Sequence, residues 1–300
     1  EDEMSSGFAM IGACLAGKKA FTTTAGPGNI LMQDAFAAAE AMRIPTVAII
    51  MQRGGLSTST VIYSQEEVTL TCLGGNGEGF RIVYSPSNLQ ELYNHTIKSF
   101  NTAWKYRYPT FVLGDGYLGK MQGEVRLKAM NKNQYVKPEP ILLSGKVKNI
   151  RNCYDQEEEI NEVIEEYRED FTKISPKVAE SESYKTADSD ILIIAHGIVA
   201  SAAKVAVDNL RDSGKKVGLW RPITLRPIDT ASLFKAVRKK KQVIFVESAL
   251  GQMASLINNE FGHKKVHKGI RTNIQTVIRT LYRPALGITP EEIIKFIKSK

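Results

Sequence analysis

Three short stretches carry the residue types that could do chemistry. The first is Glu3, which heads the run MSSGFAMIGACLAG, small and apolar apart from two serines. A carboxylate against such a surface could hold or exchange a proton, although an acid in a first helical turn also simply complements the helix dipole. The second is TTTAGPG, residues 22–28, between a strand-like and a helical pattern, where open α/β sheets bind ligands. Gly26 and Gly28 let a backbone approach a ligand closely, and the amides opening the next helix favour anions; a tight turn without a ligand would carry the same letters. The third is QRGGLSTST, residues 52–60, directly after VAIIM. Arg53 at the end of that strand could grip a carboxylate through paired hydrogen bonds, while a surface arginine beside a turn is the plainer reading. The glycine turn is neither G-x-G-x-x-G nor G-x-x-x-x-G-K-[ST], because no lysine follows where a phosphate loop needs one, so nicotinamide and nucleotide-hydrolase chemistry lose ground.

These stretches have to be positioned by an α/β framework. Strands are expected at 20–24, 46–52, 81–84 and 110–113, with helices at 4–15, 30–42, 66–72 and 89–105 between them. Unbroken apolar strands alternating with helices imply a mostly parallel sheet covered on both faces, here a first domain over residues 1–121. Residues 122–187 are expected to be a linker, with an extended VKPEPILL and then the acidic run DQEEEINEVIEEYREDF. Ile160, Val163, Ile164 and Tyr167 recur there at helical spacing, fitting either a docking helix or a solvated face that spans two domains. A second alternation fills 188–300: ILIIAHG, a helix at 199–211, a strand at 217–219, a helix at 230–237, QVIFVES, a helix at 252–261, TNIQTVIRT, and a last helix opened by Thr289-Pro290-Glu291-Glu292. The proline at the first helical position marks that start. The fold class is α/β, with two parallel-sheet domains.

Composition removes several function classes. The chain has 300 residues and a formal charge of +8, but its densest basic run, KAVRKKK at 235–241, reads as a solvated helix end, and no nucleic-acid signature accompanies it. No apolar run approaches the roughly 20 residues that cross a bilayer, so no membrane span is expected. The opening Glu-Asp-Glu lacks the basic and apolar segments of a secretory signal, and the expected location is the cytoplasm. Cys14, Cys72 and Cys153 lie far apart, without the spacing of a zinc site or an iron–sulfur cluster, so any electron carrier sits on another chain. Cys14 is expected to be a buried small hydrophobe. His196, His263 and His267 have no ligand-like spacing, and no metal site is assigned to this chain. Glu247 is expected to cap the helix begun near Gly251, and Trp220, Arg221 and Pro222 to form a strand exit and domain contact.

The order of these features adds information. Glu-x-Glu before a small-residue helix, then TTTAGPG, QRGG, GGNGEGFRIVYSPS and PTFVLGDGYLG, with KKVGLWRPITLRPID and VESALGQM in the second half, resembles the alpha subunit of 2-oxoacid:ferredoxin (or flavodoxin) oxidoreductases. The resemblance implies a thiamine-diphosphate pyrimidine-binding fold followed by a transketolase C-terminal-like domain II. It implies that Glu3 hydrogen-bonds the aminopyrimidine ring of thiamine diphosphate, that Thr24, Ala25, Gly26, Pro27 and Gly28 form the loop beside that ring, and that Arg53 lies near the substrate carboxylate. A beta subunit would share the cofactor and supply its magnesium, and iron–sulfur clusters would sit on partner subunits, with gamma and delta subunits expected too. The implied reaction oxidatively decarboxylates a 2-oxo acid to an acyl-coenzyme A and passes electrons to ferredoxin or flavodoxin. VIYSQEEVTLTCLGGNGEG is similar to the 2-oxoglutarate group, with branched-chain 2-oxo acids and pyruvate as alternatives. An obligate hetero-oligomer doubled by a two-fold axis is expected; the rival reading is a non-catalytic assembly subunit. Two departures stand out. The family's strand–helix unit with a Tyr-Pro-x-Thr-Pro loop has no counterpart ahead of Glu1, which reads as a missing N-terminal part of the first domain. The usual Gly-Pro-Ser-Thr after the arginine is here Gly55-Leu56-Ser57-Thr58.

Overall fold

The computed structural model describes residues 2–127, 135–142, 150–268 and 277–299. Its first half runs α1 (Glu3–Leu15), β1 (Phe21–Thr24), α2 (Pro27–Leu31), α3 (Gln33–Ala41), β2 (Val47–Gln52), α4 (Val68–Leu73), β3 (Ile82–Tyr84), α5 (Leu89–Tyr106), β4 (Thr110–Asp115) and α6 (Gly116–Lys120). Then follow α7 (Glu157–Val178), β5 (Ser181–Tyr184), β6 (Ile191–Ile194), α8 (Gly197–Asp212), β7 (Val217–Pro222), β8 (Thr224–Arg226), α9 (Thr230–Val237), β9 (Gln242–Glu247), α10 (Gln252–Lys268), β10 (Val277–Tyr282) and α11 (Pro290–Lys298).

The strands form two five-stranded sheets, ordered β1-β2-β4-β3-β8 and β10-β9-β6-β7-β5. Within each sheet the pairs are parallel except at one edge, where β8 runs antiparallel to β3 and β5 antiparallel to β7. β4 is buried along its whole length, which is why TFVLG reads as a continuous apolar run instead of alternating. Phe36 of α3 meets Phe111 of β4 edge to face, with centroids 4.9 Å apart. Met10, Ile11 and Cys14 of α1 are buried in the same core as Met32, Ala35 and Phe36. That packing fixes the helix whose first turn carries Glu3. Cys14 is the buried hydrophobe expected, its thiol pushed up to about 11 by burial.

Several expectations are corrected. The helix expected at 30–42 is two helices, α2 and α3, meeting at Met32; at this junction the Gln33 side chain donates to the Asn29 carbonyl (2.9 Å). The 122–187 stretch is more than a linker, because β5 lies within it and pairs with β7. Conversely, β8 comes from the second half and extends the first sheet. The free edge of β3 offers backbone groups that need partners, and β8 takes them, with Arg226 donating to the Glu78 carbonyl (2.9 Å). The acidic helix α7 settles on its own chain: the Tyr167 hydroxyl donates to the Ala41 carbonyl (2.9 Å), and Arg43 pairs with Asp170 (2.7 Å). Phe171, Ile174 and Val178 bury against Phe80, Ile82, Tyr84 and Tyr108. The basic run at 235–241 is not wholly solvated, since Lys240 is buried and donates to the Ser189 carbonyl (2.8 Å). Residues 272–276 of TNIQTVIRT and the side chains of His263 and His267 lie outside the described residues.

The two sheets are joined directly behind the loops that follow β2. Gln65 donates to the His196 carbonyl (2.9 Å), accepts from the Ser248 amide (2.9 Å), and gives its own amide to the Ser248 carbonyl (2.9 Å). His196 is fully buried beside Ser85 Oγ (2.9 Å), and burial pushes it down to about 3, so the ring is neutral. Arg221 reaches Glu91 (2.9 Å) across the same junction, the domain contact expected of that segment. The Glu247 carboxylate accepts from the amides of Met253 (2.9 Å) and Ala254 (3.1 Å), which is the helix cap expected.

Candidate functional site

The residues singled out in the first half converge at the carboxyl ends of β1 and β2. Asp2 caps α1 by accepting from the Ser5 amide (2.7 Å), and a hydrogen bond between Ser6 and Thr22 (2.9 Å) holds the helix start to β1. β1 ends at Thr24, and the chain turns through Gly26, whose φ of 56° and ψ of −122° suit a residue without Cβ. Pro27 then opens α2, preset for a first helical position.

Two close approaches define the geometry. A Cβ on Gly28 would fall 2.1 Å from Thr24 Oγ1 and 2.9 Å from both Cγ and Oε1 of Glu3. A Cβ on Gly26 would fall 2.3 Å from Arg53 Nε. The Glu3 carboxylate, the Thr24 hydroxyl and the Arg53 guanidinium are therefore gathered around one glycine turn. Arg53 Nε is buried without a hydrogen-bond partner. A buried guanidinium donor is costly to leave unmade, so this edge of the arginine is suited to an anionic ligand. Ala25 and Pro27 complete the turn and are half-buried. The loop after Arg53 is exposed, with Leu56, where the family's proline would stand, 92% exposed.

Sequence reasoning missed Glu67. Its carboxylate is buried, and Oε1 accepts from the amides of Gly26 (2.7 Å) and Arg53 (3.0 Å) while Oε2 accepts from Asn29 Nδ2 (2.8 Å). At the head of α4 an acid reads as dipole complement, and nothing local marks it as tied to the turn. Around the site, α1 and α2 expose Met4, Phe8, Ile30 and Leu31, an apolar rim of the kind that marks an interaction surface. Among the described residues there is no His/Cys/Asp/Glu cluster suited to a metal ion, and no helix is long and apolar enough to cross a membrane.

A carboxylate, a glycine cradle and a buried, partnerless guanidinium Nε at the carboxyl ends of parallel strands are residue types that suit a cofactor ring and an anionic substrate. Residues 1–188 match the family described as pyruvate flavodoxin/ferredoxin oxidoreductase, thiamine-diphosphate-binding. The chain belongs to the 2-oxoacid:ferredoxin oxidoreductases, as an alpha-type subunit. Residues 189–277 match core domain II of pyruvate:ferredoxin oxidoreductase. The 2-oxoglutarate synthase subunit KorA of Methanocaldococcus jannaschii is 31% identical over 284 residues, covering 84% of this chain and 76% of that one. Ketoisovalerate oxidoreductase subunit VorB of Methanothermobacter marburgensis is 29% identical over 266 residues, covering 85% and 74%. The solved 2-oxoglutarate:ferredoxin oxidoreductase from Magnetococcus marinus, with 2-oxoglutarate, coenzyme A and succinyl-CoA bound, superposes with a TM-score of 0.81 at 25% identity. That match covers 99% of this chain but 56% of the solved chain, so this chain spans little more than half of it. A split-gene transketolase shares the fold, with a TM-score of 0.56 at 14% identity. As an alpha-type subunit of a 2-oxoacid:ferredoxin oxidoreductase, the chain is one component of a multi-subunit enzyme.

Proposed function

We propose that, assembled with its partner subunits, this chain catalyses the coenzyme-A-dependent oxidative decarboxylation of a 2-oxo acid, with 2-oxoglutarate the favoured substrate. Carbon dioxide and acyl-coenzyme A are the products, and two electrons leave one at a time, through iron–sulfur clusters on partner chains to ferredoxin or flavodoxin. The observation that carries this reading is the gathering of Glu3, Thr24 and Arg53 around the turn of Gly26 and Gly28. Bound thiamine diphosphate supplies the carbanion chemistry that the side chains here lack. Glu3 accepts and returns a proton at the pyrimidine ring. Gly26 and Gly28 leave room for that ring against the backbone, with Thr24, Ala25 and Pro27 shaping the turn, and Arg53 holds the substrate carboxylate with its free donors.

A beta subunit holds the diphosphate and magnesium and covers the rim of Met4, Phe8, Ile30 and Leu31, which excludes water from the reacting centre. Gamma and delta subunits complete the assembly. The three free thiols suit a cytoplasmic enzyme. The 2-oxoglutarate preference draws on the names of the KorA relative and of the solved neighbour, and the VorB relative favours a branched-chain 2-oxo acid as the second reading. The test is 2-oxo-acid- and coenzyme-A-dependent reduction of a viologen dye by the complex reconstituted with thiamine diphosphate and magnesium, beside the subunit alone. Turnover in the complex only, greatest with 2-oxoglutarate, is expected. Silence from a fully assembled complex with every acid would leave the assembly-subunit reading.

A further inference from the structure

We infer that Glu67 is a positioning residue that sets the glycine turn and Arg53 at once, as the end of a buried hydrogen-bond relay of fixed polarity. The inference rests on the functional reading above. The relay begins at the buried pair Glu40–Arg81 (3.1 Å). Arg81 Nη1 donates to Gln33 Oε1 (2.9 Å), Gln33 Nε2 donates to Asn29 Oδ1 (2.9 Å), and Asn29 Nδ2 donates to Glu67 Oε2 (2.8 Å). Glu67 Oε1 then takes the amides of Gly26 (2.7 Å) and Arg53 (3.0 Å). All five relay side chains are buried, and Arg81 and Asn29 are fully so.

Polarity makes this more than a set of contacts. Arginine only donates, so Arg81 fixes which end of the Gln33 amide faces it, and Gln33 in turn fixes Asn29. Donors therefore arrive at residue 67 from both sides: the Asn29 amide on one, two backbone N–H groups on the other. Among side chains of this length only a carboxylate accepts on both sides. In Glu67→Gln, which keeps the shape, the new NH2 must face another donor, either Asn29 Nδ2 or the amides of Gly26 and Arg53. Asn29 cannot flip to relieve it without turning its own NH2 toward Gln33 Nε2. The mismatch is buried, and it is relieved most readily at the site end, by loosening the turn and shifting Arg53.

The same polarity supplies a rescue. With Asn29→Asp added to Glu67→Gln, the carboxylate now at position 29 accepts from both Gln33 and the new amide at position 67. The carbonyl oxygen of that amide again receives the Gly26 and Arg53 amides. The experiment uses the assembled holo-complex of wild type, E67Q, N29D and N29D/E67Q. It reads thiamine diphosphate affinity by fluorescence titration, and KM and kcat for the 2-oxo acid by dye reduction, well below the unfolding temperature. E67Q is expected to weaken thiamine diphosphate binding and raise KM about tenfold each. N29D alone places two buried carboxylates face to face and is expected to weaken both at least as much. N29D/E67Q is expected to return to within about threefold of wild type. The inference is overturned if E67Q matches wild type in both constants, or if the double variant is no better than E67Q. Should E67Q fail to assemble, N29D/E67Q carries the test alone: near-wild-type constants support the relay and tenfold losses overturn it. A wild-type complex that turns over no 2-oxo acid would instead overturn the functional reading, while the cofactor titration still reports on Glu67.

Discussion

Replacing Gly28 with alanine adds one methyl group at the place where Glu3 and Thr24 meet. Gly28 lies in α2 and is not among the glycines with positive φ, so alanine is acceptable to the backbone and sterics alone decide the outcome. The new Cβ would lie 2.1 Å from Thr24 Oγ1 and 2.9 Å from Glu3 Oε1, whereas ordinary contact begins at 3.4 Å. The hydroxyl must retreat by more than an ångström and the carboxylate by about half of one, at a cost of about 1–3 kcal/mol in overpacking. A misplacement of about 1 Å costs on the order of 10²-fold in rate, so the half-ångström shift of the carboxylate costs about tenfold. Dye reduction by the assembled complex should therefore fall about tenfold in kcat while the complex remains assembled. Gly12, on the same α1 that carries Glu3, is the matched control: nothing lies within 4 Å of its Cβ position. Gly12→Ala should stabilise the chain by up to about 1 kcal/mol in urea denaturation. Turnover of the Gly28→Ala complex within threefold of wild type would refute the placement of Glu3 over the turn.

Two further outcomes follow from the same structure. Asp115 is buried, accepts from the Leu118 amide (2.8 Å), and is pushed by burial from 3.8 to about 6. The folded chain thus holds this proton more tightly than the unfolded chain, so the stability it contributes is fully present below about pH 4 and is lost as pH rises through about 6. Asp115→Asn keeps the capping oxygen and cannot ionise. It should match wild type at pH 4 and exceed it by about 1–3 kcal/mol above pH 6.5 in urea denaturation; no gain at the higher pH would contradict the burial argument. Arg53→Lys removes the planar fork but keeps the charge, and should raise KM for the 2-oxo acid about tenfold or more in steady-state dye reduction. An unchanged KM would take Arg53 away from the substrate carboxylate.

The sequence makes the parallel architecture readable because VAIIM and TFVLG are unbroken apolar runs, which only a sheet covered on both faces requires. The glycine turn and Arg53 stand out because each follows a strand, and Glu3 because it heads a small, apolar helix; the structure gathers the three. Glu67 was not, since its partners at Gly26 and Arg53 lie 41 and 14 residues away and its local setting is that of any acid at a helix start. β8 escaped notice for the same reason: three residues pair with an edge far back in the chain, and strand preference in so short a run is set by the neighbour it finds. The Met32 junction hides inside a continuous helical pattern, with side-chain bonds from Gln33 as its only companion sign.

The central claim is that the Glu3 carboxylate acts on the cofactor, and Glu3→Gln in the fully assembled complex tests it most directly. The amide keeps the shape and cannot take the proton. Dye reduction should fall at least about 10²-fold with assembly intact; turnover equal to wild type would contradict the account.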